Sequence, residues 1–190
     1  IPNGVTYCII GRSGCGKSVL IKNIVGLLEP DRGEVIIDGM NVHQLEKDEL
    51  FRLREKIGFV FQGSALFDSY TVYENVIIGL YERGIRDEKR LLDEALRSLT
   101  AVGLLPEKEE VGEESFLHEW KMLKDKMPSD LSGGMKKRVG VARALVGEPS
   151  YIFYDEPTTG LDPVTSEQID SLIGTLAKKF AVTSIIITHD

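Results

Sequence analysis

"VTYCIIGRSGCGKSVLIKNIVGLL", residues 5 to 28, passes from an unbroken apolar run to a glycine-rich loop and then to a helical pattern. The run "VTYCIIG" is rich in β-branched residues and leads straight into glycine, which predicts a strand. The loop "GRSGCGKS", Gly11 to Ser18, fits the phosphate-loop pattern G-x-x-x-x-G-K-[ST] in full. That chemistry needs these residue types. Gly11, Gly14 and Gly16 let the backbone curl so that its N–H groups face a phosphate, and Lys17 reaches the β- and γ-phosphates of a nucleotide. Ser18 offers a hydroxyl to Mg²⁺. A strand before the loop and a helix after it are the context that the motif requires. Arg12, Ser13 and Cys15 complete the loop and Val19 follows it, so residues 11 to 19 are assigned to the nucleotide.

Working outward, the chain alternates strands with helices. "EVIIDG" and "KIGFVFQ" read as strands on either side of the polar helix "KDELFRLRE". From residue 72 to about 102 the pattern is helical, with Leu91, Leu92, Ala95, Leu96, Leu99 and Val102 on one face. A polar stretch, residues 106 to 130, contains Trp120, Met122 and Leu123 at the spacing of a short amphipathic helix. Then come "LSGGMKKR" (131 to 138) opening a helix, the strand "YIFYDEP", the helix "PVTSEQIDSLIGTLAKKF" and the final strand "VTSIIITHD". This order predicts an α/β fold with a mostly parallel sheet. Residues 1 to 63 and 148 to 190 form its core, and 64 to 147 are an inserted all-helical subdomain.

Composition narrows the function. A chain of 190 residues with 42% hydrophobic content can bury a proper core. Its apolar runs fall far short of the roughly 20 residues that span a bilayer, so any membrane role comes through a partner. With 23 basic and 30 acidic residues, the net charge of -7 argues against nucleic acid as a partner. Two cysteines, Cys8 and Cys15, give no disulfide framework and suit a reduced, cytosolic compartment. Lys136, Lys137 and Arg138 read as a solvated helix face.

Asp155 and Glu156 end an apolar strand. Placed beside a phosphate loop, Asp155 is suited to the Mg²⁺ shell and Glu156 to polarising an attacking water. "LSGGM" adds a second glycine-rich helix start, where free N–H groups and the dipole favour an anion.

With that motif the chain resembles the ATP-binding cassette (ABC) family of P-loop NTPases, whose signature is LSGGQ. The resemblance covers essentially all 190 residues. It includes Gln62 after "IGFVF", the loop "GLDP" at Gly160 to Pro163, and His189 after "SIIIT". It implies ATP and Mg²⁺ as ligands and ATP hydrolysis coupled to transmembrane transport. In the family, two cassettes pack head to tail, so Ser132, Gly133, Gly134 and Asp162 are expected to act on the nucleotide of a second ATPase subunit, here a copy of the same chain. Gln62 is expected to sense the nucleotide and touch Mg²⁺ or water, and His189 to contact the γ-phosphate. Taken singly, Gln62 also suits a surface amide and Asp162 a helix cap before Pro163.

Met135, where the family has glutamine, and "GSALFDSYTVYENV" (63 to 76) resemble the branch that powers Mla- and Mce-type lipid transport. That implies a transmembrane permease as partner, an Mce-type lipid-binding subunit beside it, and a peripheral position on the cytoplasmic face of the inner membrane. The rival is a soluble ABC-type ATPase acting on ribosomes or DNA. Against it stand the single cassette, the acidic charge and the absence of long heptad arms. The family's adenine-stacking aromatic residue and its final helices are expected outside the 190 residues, which makes the chain an excerpt of a longer protein.

Overall fold

The computed structural model describes residues 1–189. Its centre is a four-stranded, wholly parallel sheet in the order β1 (Thr6–Ile10), β6 (Thr183–Thr188), β5 (Tyr151–Asp155), β4 (Ile57–Val60). The helix α1 (Lys17–Ile24) follows the glycine-rich loop as the sequence predicts, and α8 (Pro163–Phe180) joins β5 to β6. Parallel neighbours need such crossovers, and one consequence is that all four strands point their carboxyl ends the same way. The register aligns those ends: Ile10 lies opposite Thr188, Asp155 opposite Ile187, and Val60 opposite Tyr154.

The "EVIIDG" segment departs from the expected pattern. Only Ile36–Ile37 (β2) is extended, and it pairs antiparallel with Met40–Asn41 (β3) in a ribbon separate from the main sheet. Between them Asp38 and Gly39 both have positive φ, 52° and 76°. An Asp-Gly pair in that conformation turns the chain back at once into a hairpin. Lys56 Nζ at 2.8 Å and the Tyr151 hydroxyl at 2.5 Å both donate to the Asp38 carboxylate, tying the ribbon to the sheet. These bonds hold Asp38 below the usual carboxylate range and push Tyr151 up to about 12.

After α2 (Lys47–Glu55) and β4 the chain turns helical, with α3 (Val72–Glu82), α4 (Glu88–Ala101), the single turn α5 (Lys108–Val111), α6 (Glu113–Lys124) and α7 (Gly133–Leu145). Thr71 starts α3 with a capping box: its hydroxyl accepts from Glu74 N while the Glu74 carboxylate accepts from Thr71 N. In α6, Trp120 and Leu123 are buried as the amphipathic spacing predicts, but Met122 is exposed.

One apolar cluster runs from Val76, Leu99 and Trp120 through Val141 of α7 to Ile152, Tyr154 and Leu176, so the helical stretch and the sheet share their core. Each fully buried aliphatic side chain there contributes about 1.5–3 kcal/mol. The seam is tight: a Cβ on Gly58 would lie 2.2 Å from the Ala144 carbonyl oxygen. Because α7 is wedged among α3, α4, α8 and β4, two of the three residues Lys136, Lys137 and Arg138 are not a solvated face. Lys137 is only 5% exposed, and Arg138 donates to the Val102 carbonyl.

Candidate functional site

Each of the four aligned strand ends delivers a chemically active residue to one place. From β1 the chain enters the loop Gly11–Ser18, where Gly14 and Gly16 adopt positive φ of 78° and 96° that a side chain would strain. At Gly11 a Cβ would meet Cys15 Sγ at 2.8 Å, so a side chain there would displace the Cys15 thiol. Gly16 begins α1 without any side-chain cap, leaving the N–H groups of the first turn open to an external acceptor. Lys17 is 7% exposed and turns its ammonium back onto the loop, donating to the Gly11 carbonyl at 2.6 Å and the Arg12 carbonyl at 3.2 Å. Arg12, Ser13 and Cys15 are exposed on the loop, and Val19 is exposed on α1.

From β5 come Asp155 and Glu156. The Ser18 hydroxyl donates to Asp155 Oδ1 at 3.1 Å, so the two residues assigned to Mg²⁺ already face each other. Glu156 sits just past the strand with φ of 46°, a left-handed conformation costing on the order of 1 kcal/mol for a non-glycine residue. Its N–H donates to the Ile187 carbonyl at 2.9 Å, fixing that turn against β6.

Glu156 is where the site converges. Lys17 Nζ lies 3.7 Å from one carboxylate oxygen. Gln62 Nε2, arriving from β4, donates to the other at 3.2 Å. His189 Nδ1, arriving from β6, is 3.4 Å from that same oxygen and forms an ion pair with it when the imidazole is protonated. Thr159 Oγ1 adds a donor at 3.1 Å. Sequence reasoning missed Thr159, although its position three residues after Glu156 in "DEPTTG" is one that a tight turn can fold back.

The signature residues form a separate cluster with Asp162. Ser132 caps α7, its Oγ accepting from Met135 N at 3.2 Å. Asp162 caps α8, accepting from Thr165 N at 3.1 Å and from Thr165 Oγ1 at 2.5 Å, and these bonds hold its carboxyl below the ordinary value. A Cβ on Gly134 would approach Thr165 Cγ2 to 2.8 Å, and one on Gly133 would approach Leu161 Cδ2 to 3.3 Å. Glycine at 134 is therefore required by the first turn of α8. Ser132, Gly133 and Asp162 are exposed.

The segment from Gln62 to Thr71 leads from the Glu156 cluster into α3. Phe67 is 51% exposed and packs its ring 5.3 Å from that of Tyr70. Asn75, fully buried, accepts from Phe67 N at 2.8 Å and donates to the carbonyls of Phe67, Tyr70 and Thr71.

Comparison with known proteins agrees with this geometry. The model of the family described as "ABC transporter" matches residues 1–159. The probable ribonucleotide transport ATP-binding protein mkl of Mycobacterium tuberculosis is 38% identical over 190 residues, covering 100% of this chain and 48% of its own length. The methionine import ATP-binding protein MetN of Carboxydothermus hydrogenoformans is 40% identical over 190 residues, covering 100% and 51%. TRIGALACTOSYLDIACYLGLYCEROL 3 of Arabidopsis thaliana, a chloroplastic protein, is 43% identical over 181 residues, covering 91% and 47%. The chain thus spans about half the length of the curated relatives it matches. Among solved structures, a dimeric ATP-binding cassette in a post-hydrolysis state with ADP and Pi superposes with a TM-score of 0.80 at 37% identity, covering 100% of this chain and 77% of that one. A component of the cbiONQ ABC transporter complex of Clostridium perfringens gives 0.82 at 34% identity, covering 100% and 69%. With the phosphate loop, the paired acids and the capped signature helix placed as they are, the chain belongs to the ABC transporter family.

Proposed function

We propose that this chain binds and hydrolyses ATP in order to drive a transporter. The observation that carries this reading is the single carboxylate of Glu156, held within 3.7 Å of Lys17, 3.2 Å of Gln62 and 3.4 Å of His189. A carboxylate in that place, on a turn fixed against β6, is positioned to accept a proton from water attacking the γ-phosphate. Lys17 exchanges its loop carbonyls for the β- and γ-phosphate oxygens. The open N–H groups of Gly11–Ser18 and of the first turn of α1 hold the rest of the phosphate chain. Gln62 and His189 align the water and the γ-phosphate against Glu156.

Ser18 and Asp155 are the residues that would hold Mg²⁺. Two hard oxygen donors already facing each other suit a cation that takes its remaining ligands from phosphate and water. Among the described residues no group of three or more His, Cys, Asp or Glu side chains is placed to hold a metal by itself. Mg²⁺ held there would neutralise part of the charge on the phosphates.

Two copies of the chain would enclose ATP head to tail, with Ser132, Gly133, Gly134 and Asp162 meeting the partner's nucleotide. The exposure of this cluster and the dimeric relative with ADP and Pi support that arrangement. No helix among the described residues is long and apolar enough to cross a membrane, so coupling to transport would run through a permease at the cytoplasmic face. For cargo we favour lipids or related hydrophobic molecules, carried with the help of an Mce-type subunit. The "LSGGM" signature, the "ALFDSYTVYENV" segment and a 43%-identical relative that carries a galactolipid's name support this, while other relatives are named for methionine and ribonucleotide transport.

Glu156→Gln tests the catalytic core of the reading. ATP binding should persist while kcat falls by about 10²–10⁴. A variant that hydrolyses at the wild-type rate would remove Glu156 from the chemistry.

A further inference from the structure

The buried cation on α7 has no place in the chemistry described so far. Lys137 is 5% exposed, and among the described residues no carboxylate pairs with it. Burial alone lowers its pKa. An unpaired ammonium in such a position is unfavourable unless its donors are used. Here they are used on a single atom group: Nζ donates to the backbone carbonyl of Gln62.

Lys137 is one member of a row. Residues 137, 140 and 143 follow one another at intervals of three on one face of α7, and each meets the segment that follows β4. Gly140 lies so close that a Cβ there would be 3.4 Å from the Ser64 carbonyl oxygen. Arg143 donates to the carbonyls of Ser64 and Ala65, each at 2.8 Å. Those two residues have positive φ, 64° and 45°, without being glycine. The backbone at Ser64 and Ala65 is thus bent out of its preferred conformation, and the segment from 62 to 65 is held by cations from the helix that Ser132 caps. Arg143 grips with two donors and acts as an anchor. Lys137, with one flexible ammonium against one carbonyl, is the contact next to the amide that touches Glu156.

We propose that Lys137 is a positioning residue for Gln62: it latches the Gln62 backbone to the signature helix, so that the amide facing Glu156 and the helix end facing a partner's nucleotide are placed together. The proposal rests on the reading of Gln62 as part of the hydrolytic site. Its chemical consequence is specific. Loss of the latch should misplace the amide without touching the phosphate loop, so nucleotide affinity should survive while turnover suffers.

The test is a double-mutant cycle on the full-length protein, combining Lys137→Met with Gln62→Ala and measuring ADP affinity, kcat and KM for ATP, and thermal stability. Lys137→Met is expected to lower kcat roughly tenfold with ADP affinity within about twofold of wild type, and Lys137→Arg, which retains a buried donor, to recover most of the rate. In the Gln62→Ala background the same Lys137→Met change should have almost no further effect. If Lys137→Met lowers kcat equally in both backgrounds, or leaves kcat unchanged in a folded protein, the latch is overturned. If Gln62→Ala itself leaves kcat unchanged, it is the reading of Gln62 that fails. Should Lys137→Met fail to fold, Lys137→Gln enters the same cycle and the same outcomes decide.

Discussion

The Glu156 cluster and the tip of α7 both hold polar groups of the kind that bind phosphate, yet they are finished to different degrees. Around Glu156 the donors and acceptors meet one another: Lys17 on loop carbonyls, Ser18 on Asp155, Gln62 and Thr159 on the carboxylate. At the tip, Ser132 and Asp162 bond only their own helix starts, and Gly133 stands exposed beside them. In the first region the polar side chains of one chain already bond one another. The second fits the proposal that it is half of an interface. A capped helix end bonds its own first turn and still offers free N–H groups outward, which makes sense when the anion is supplied by another molecule.

Breaking the first region should have the largest effect. Lys17→Ala removes the cation that the β- and γ-phosphates require, and both ATP binding and turnover should fall by roughly 10³ or more, measured by nucleotide titration and steady-state hydrolysis. Near-normal hydrolysis by this variant would dissolve the distinction between the regions.

Ser132→Arg sharpens the contrast. It should leave ATP affinity of the monomer within about twofold and lower hydrolysis on the order of 100-fold, because only the dimer is obstructed. A mixture of Lys17→Ala and Ser132→Arg chains can form one site with both lesions and one with neither. Partial recovery of activity in the mixture is expected; an inert mixture of folded chains would place the signature within its own chain's chemistry or require both sites to act together.

The segment that leads from Gln62 into α3 gives a smaller, purely structural effect. Asn75→Ala removes the side-chain partner of Phe67 N and of the Tyr70 carbonyl, while the Phe67 and Thr71 carbonyls keep the N–H groups of Tyr70 and Asn75, and should reduce stability by about 1–3 kcal/mol in denaturant unfolding. Phe67→Asp should be the mildest change to the isolated protein. Its ring is half exposed, so stability should shift by less than about 0.5 kcal/mol and ATPase activity should hold. Assembly with a membrane subunit should nevertheless weaken, because a charge would enter an apolar contact next to the Gln62 segment. Pull-down of the transporter beside a thermal melt checks both halves.

Much of this was legible in the sequence, because the strongest signals are local. The strand, glycine loop and helix of residues 5 to 28 need only short-range pattern, and the bounds of α8 are marked by Asp162 and Pro163 at one end. The family's motif order also pointed to Gln62 and His189, which no local feature distinguishes from surface residues and which the structure brings beside Glu156. What escaped depends on packing. "EVIIDG" has a strand's composition, but Asp38-Gly39 reverses it after two paired residues. Lys137 has the composition of a solvated face, and its burial follows only from α7 being enclosed by α3, α4, α8 and β4. Thr159 and Asn75 matter through hydrogen bonds to atoms whose positions the turns determine.

The alignment of the strand ends carries a consequence for length variation. Since successive residues of a strand point to opposite faces, one residue inserted into β5 would send the Asp155 position to the wrong side of the sheet. Two would restore the side yet carry it roughly 6–7 Å past Ser18, far outside bonding distance. The four strands are therefore locked in phase with one another, and neither an odd nor an even insertion within them leaves the catalytic groups together. The exposed turn at residues 107 to 112, ahead of the buried face of α6, enters none of these registers and can change length at lower cost.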